Sequence, residues 1–162
     1  MNSADVLDAE RFLGQAVELA RGNIQAGGRP FGAVVVLNGE VIATAVYQMH
    51  LSKDVTDHAE LLAIRAAARA LGPQSLKGSA VYASGHPCPM CMAAMRLAGV
   101  GSVSYAYSNE DGAPFNLSTA DIYADLRRPF AEQTMEIAHT PLTHNSGQHL
   151  YELWADASKA RK

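Results

Sequence analysis

Cysteine is scarce: Cys88 and Cys91 are the only two thiols in 162 residues. That excludes a disulfide-stapled scaffold. A reducing compartment and a gap of two residues favour a metal or redox pair over a bridge. Long apolar runs are also missing. Nothing approaches the roughly 20 residues that span a bilayer, and the N-terminus lacks a basic-then-apolar leader pattern, so the expected location is the cytoplasm with no membrane partner. Positive charge is not in excess either. The formal net charge is −3, which counts against a broad footprint for nucleic acid. Repeats, low-complexity stretches and linkers are absent as well. What is present, 48% hydrophobic residues, suits one domain over 1–162 with a full core.

Apolar spacing predicts a helix from Ser3, as cap, to about Gly27. Two short apolar runs follow, Phe31 to Leu37 and Val41 to Tyr47. Asn38-Gly39 between them signals a hairpin, because both turn residues need positive φ. A second helix is expected from a Thr56 cap to Leu71, stopped by Gly72-Pro73. His58 and Glu60 then lie in its first turn. A strand over Ser79 to Ser84 leads through Gly85-His86-Pro87 into a helix over Pro89 to Ala98, with Cys88 and Cys91 at its start. Later expectations are a strand over Ser102 to Tyr107, a Ser118-capped helix over Thr119 to Arg127, a last strand over Thr134 to Ala138, and an amphipathic helix from Gln148. Alternating strands and helices argue for a mostly parallel sheet covered on both faces.

The chemistry concentrates in Asp57-His58-Ala59-Glu60 and Pro87-Cys88-Pro89-Met90-Cys91. One imidazole and two thiols are three ligands for Zn²⁺ and leave a tetrahedral ion one position for water, the arrangement of a catalytic site. The start of a helix favours thiolate over thiol. Glu60, two residues beyond His58, is placed to move protons without ligating. A zinc-dependent hydrolase follows.

These two motifs resemble the cytidine/deoxycytidylate deaminase superfamily, whose signature is known for nucleobase deaminases. Within it, Arg29-Pro30-Phe31-Gly32-Ala33-Val34, Asp121-Ile122-Tyr123 and Arg128-Pro129 are similar to the bacterial guanine deaminase branch, over nearly the whole chain. The resemblance implies a three-layer αβα sandwich around a five-stranded sheet, one catalytic zinc on His58, Cys88 and Cys91, and Glu60 as catalytic residue. It also implies a small heterocyclic substrate and a homodimer, with the C-terminal segment exchanged between subunits. Substrate contacts on this basis are Phe31, Tyr47, Ala59, Thr119 and Trp154. Three positions depart from the pattern. Tyr47 stands where a base-reading asparagine is usual, Thr119 where guanine deaminases carry an aspartate, and His86 where glutamate is common. Asp111 and Asp121 are candidates to replace that aspartate.

Plainer readings compete. Cys88 and Cys91 also fit a thioredoxin-like redox pair, and His86 as a fourth ligand would make the zinc structural. Phe31 is as readily core as stacking surface, Trp154 suits a core or interface anchor, and Thr119 a helix cap. Functionally the first expectation is ammonia release from a small free base of the purine, pterin or triazine type. A tRNA adenosine deaminase is the alternative, and a catalytically lapsed zinc-stabilised binding domain the second.

Overall fold

The computed structural model describes residues 3–72, 76–142 and 147–161, with side chains of the first helix described from Leu7 onward. Two compact units divide the chain, 1–127 and 128–162.

The first unit holds the sheet. Its elements are α1 (Ser3–Gln25), β1 (Gly32–Leu37), β2 (Glu40–Val46), α2 (Met49–Ser52), α3 (Ala59–Leu71), β3 (Ala80–Gly85), α4 (Pro89–Leu97), β4 (Ser102–Tyr107), α5 (Asn109–Gly112) and α6 (Ala120–Leu126). The strand order is β2-β1-β3-β4. As expected from Asn38-Gly39, β1 and β2 form an antiparallel hairpin, with φ of 51° and 80° at the turn. The connections through α3 and α4 are crossovers, so β2, β3 and β4 run the same way and β3 pairs parallel with β4. The sheet is nevertheless mixed rather than mostly parallel. β3 pairs antiparallel with the open edge of β1, which places the hairpin's first strand between two strands of opposite direction.

β1 is buried on both faces over most of its length, which explains its near-continuous apolar run. Val35 and Ala33 face Ala59, Ala63, Ile64 and Met95 of α3 and α4. Val34 and Val36 face Phe12 and Ala16 of α1. Helices therefore cover both faces, giving the expected αβα layering. Gly32 permits the close approach of α1, because a Cβ there would lie 2.5 Å from the Ala16 carbonyl oxygen.

Four strands, not five, occur among the described residues. Residues 134–138, expected to be the last strand, form none. Their alternation is a period without a paired edge, and a strand exists only where a neighbour takes its hydrogen bonds. In the second unit, helix α7 (Leu150–Lys159) leaves Leu150, Leu153 and Trp154 exposed. Two expected caps also move. His58, not Thr56, is the N-cap of α3, because the Thr56 amide and hydroxyl both donate to Asp54. Thr119 holds the N-cap position of α6 without a side-chain capping bond, while the Ser118 hydroxyl accepts from the Ala120 amide. Gly72 ends α3, whereas Pro73 and the Ser3 side chain lie outside the described part. No described helix is long and apolar enough to cross a membrane.

Candidate metal centre and active site

Two helix starts build the site. His58 precedes α3 and Cys88 precedes α4, both with extended backbone (φ −80°, ψ 152° and φ −70°, ψ 164°). Neither side chain caps its own helix, so the imidazole and the thiol can turn toward each other. Cys91 follows one turn into α4, with Pro89 at the first helical position, where its missing N–H costs nothing. The Cys88 sulfur lies 3.5 Å from His58 Nδ1. The Cys91 thiol donates to Glu60 Oε2 at 3.6 Å. Ligand atoms of His58, Cys88 and Cys91 all lie within 4.8 Å of one another.

These donors fit a zinc ion. Tetrahedral Zn–S bonds of about 2.3 Å put neighbouring ligand atoms about 3.8 Å apart, and one nitrogen with two sulfurs suits its borderline softness. His86 is not in the group. Its ring instead stacks 4.4 Å from Tyr105 and 5.5 Å from Tyr123, and its buried Nδ1 has no partner among the described residues. Three ligands remain, which leaves an open position.

By themselves the four groups compete for protons. The Cys91 thiol, and then His58, hydrogen-bond to Cys88 and lower it to about 4. Cys91 is pushed up, first by that same bond, then by burial and the charge of Glu60. His58 is raised, chiefly by its hydrogen bond to Cys88. Burial raises Glu60, which is 6% exposed. A carboxylate that holds its proton more tightly than usual suits proton transfer near neutral pH.

The other expected contacts divide. Tyr47 is buried, with its ring 5.2 Å from that of His58 and 6.0 Å from that of Phe31. Its hydroxyl donates to the Met49 sulfur at 3.1 Å. Ala59 is wholly buried in the core between β1 and α3. Thr119 is occupied elsewhere, its amide and hydroxyl both donating to Asn109 Oδ1. Trp154 belongs to the second unit and is 71% exposed. Asp111 is committed to a capping box with Ser108.

Two residues near the site belong to the motifs that carry the family resemblance, but the sequence assigns them no role there. Tyr123 on α6 donates its hydroxyl to the Pro87 carbonyl, next to Cys88. Arg29 lies over the Tyr47 ring, 5.6 Å from its centroid. Both depend on contacts between distant parts of the chain, and no local spacing marks them.

Residues 7–107 match the family model described as the cytidine and deoxycytidylate deaminase zinc-binding region. The guanine deaminase of Bacillus subtilis is 35% identical over 159 residues, 96% of this chain and 99% of that protein. The crystal structure of that enzyme superposes with a TM-score of 0.82 at 37% identity, covering 100% of this chain and 98% of its own. The tRNA-specific adenosine deaminase of Agrobacterium fabrum is 39% identical over 106 residues, 64% of this chain and 70% of that protein.

Proposed function

From a chain that belongs to the cytidine and deoxycytidylate deaminase family and is a zinc-dependent nucleobase deaminase, we propose the residue roles and the substrate. His58, Cys88 and Cys91 hold the zinc, and Glu60 is the catalytic proton carrier. The reaction is hydrolytic removal of an exocyclic amine, as ammonia, from a small free heterocycle of the purine, pterin or triazine type. The observation that carries this reading is the buried Glu60 carboxylate 3.6 Å from one sulfur of the three-ligand group.

Zinc in such a site supplies the Lewis acidity that makes water nucleophilic near neutral pH. The protein's own part is proton management and exclusion of solvent. Glu60 Oε2 accepts a proton as the water oxygen bonds to the amine-bearing ring carbon, and passes it to a ring nitrogen. It then moves the second proton to the departing nitrogen as the C–N bond breaks. Tyr47 and Phe31 give the His58 side an apolar backing, and Ala59 packs in the core behind it.

Zinc-loaded protein should release ammonia from at least one member of a panel of aminopurines, aminopyrimidines, pterins and triazines. Glu60→Gln should keep its zinc and lose turnover. A Glu60→Gln variant with undiminished ammonia release would overturn these assignments.

The tRNA reading draws on the similarity to tRNA-specific adenosine deaminases, which spans less of this chain than the guanine deaminase match does. Absence of anticodon-arm binding at low salt would end it. The lapsed-domain alternative is disfavoured by Glu60, since a structural zinc has no use for a carboxylate beside an open position.

We also propose that 1–162 works as one deaminase domain, in the cytoplasm, as a homodimer with exchanged C-terminal segments. The edge of β4, unpaired among the described residues, and the exposed Leu150, Leu153 and Trp154 support the exchange. Trp154 is the only tryptophan, so its emission reports directly. Dilution should red-shift it as dimers part, and an emission independent of concentration in a monomeric protein would refute the dimer.

A further inference from the structure

Resting on the aminohydrolase reading above, we infer that the heterocycle this site accepts carries an anionic group, a carboxylate or a phosphate, and that Arg29 receives it. Tyr47 is the starting point. Its ring lies 5.2 Å from the His58 imidazole and 5.6 Å from the Arg29 guanidinium. Its ring is buried and its hydroxyl hydrogen is spent on Met49, so Tyr47 offers a substrate no donor. Recognition by directed donors must come from a neighbour.

Arg29 is that neighbour, and its position is built. The side-chain nitrogen of Asn23, 6% exposed, donates to the Arg29 carbonyl at 2.8 Å and to the Tyr47 carbonyl at 2.9 Å. One buried amide thus fastens the two segments together. Gly28 makes room for it, since a Cβ there would fall 2.4 Å from the Asn23 nitrogen. Phe31 completes the frame, its carbonyl accepting from the Tyr47 amide at 3.1 Å. The guanidinium itself is exposed and has no carboxylate partner among the described residues. Asp57, the acid next to His58, is taken by Arg65 at 3.1 Å.

Arg29 and the His58 imidazole thus share one neighbour, the Tyr47 ring. A planar guanidinium with five donors binds carboxylate and phosphate in a bidentate manner.

The test uses the zinc-loaded full chain and three probes: guanine as a neutral base, 6-carboxypterin as a carboxylate, and guanosine monophosphate as a phosphate. Ammonia release gives kcat/KM for each. One of the two anionic probes should exceed guanine, and the better of them identifies the anion. In Arg29→Ala the ratio of anionic to neutral kcat/KM should fall at least tenfold, mostly through KM, and Arg29→Lys should restore part of it. Arg11→Ala, which removes an arginine paired with Asp8 on α1, should leave the ratio as it was. A ratio unmoved by Arg29→Ala, or guanine preferred over both anions, overturns the inference and leaves the deaminase reading standing. No ammonia from any probe or from the wider panel defeats that reading itself.

Discussion

The hydroxyl of Tyr123 donates a hydrogen bond to the main-chain carbonyl of Pro87, across 36 residues of sequence. Pro87 is the residue before Cys88, so α6 holds the backbone from which the first thiol ligand projects. The same phenol ring lies 5.5 Å from His86. Burial, then the charges of Cys88, Cys91 and Glu60, raise its pKa and keep it a donor.

Tyr123→Phe keeps the ring and removes only that bond. Partners that orient a metal ligand typically matter by about 10–100-fold in metal affinity. Competition against a chromophoric chelator should show zinc bound about tenfold more weakly, with the thermal midpoint of the zinc-loaded protein little changed. Unaltered zinc affinity would show that the bond has no such role.

Glu60→Gln tests both chemistry and burial. Turnover should fall by at least about a hundredfold, the usual scale for a lost acid–base group. Stability of the zinc-free protein should move the other way. The folded-state pKa of Glu60 lies above its unfolded value, so the native state binds the proton more tightly. Wild-type stability therefore declines as pH rises from the unfolded pKa through the folded one. Urea midpoints should show the variant gaining on the wild type at pH 8 and losing that advantage toward pH 4. A constant difference across this range would contradict the sign.

Gly28→Ala should loosen the clip between Arg29 and Tyr47. Its Cβ displaces the Asn23 amide, and two carbonyls lose their donor. The expected cost is about 1–3 kcal/mol, measured by urea denaturation. Asn23→Leu should cost a similar amount, and the double variant should cost less than the sum. Full additivity would mean that the two residues act separately.

Zinc removal by a chelator should abolish ammonia release while far-UV circular dichroism retains the helix and sheet signal, with activity returning on readdition. Val34, Val35, Val81, Ile64 and Met95 are buried apolar side chains that offer a metal no ligand from the proposed set. Outright unfolding would assign the ion a structural role.

The clustering of His58, Cys88 and Cys91 was legible because each motif is short and each sits at a helix start, where local spacing governs geometry. The hairpin was legible for the same reason: Asn38 and Gly39 carry their own backbone preference. The pairing of β3 with β1 was not, because strand order is chosen among distant partners with similar apolar patterns. Nor could alternation at 134–138 reveal whether a neighbouring edge was available. Tyr47 was readable as a departure from the family pattern, yet its tie to Asn23 spans 24 residues. Thr119 illustrates the reverse: a position expected near substrate is claimed by the Asn109 side chain.

His58 and Cys88 immediately precede helices anchored on the sheet, whereas Arg29 and Tyr47 lie on connections that flank β1 and β2. The proposed bond-breaking equipment and the proposed ring selection are thereby mounted on different parts of the molecule. Loop replacement can redirect such a scaffold toward new amines while its hydrolytic heart stays untouched, so laboratory evolution of altered selectivity should begin at residues 28–31 and 47–49.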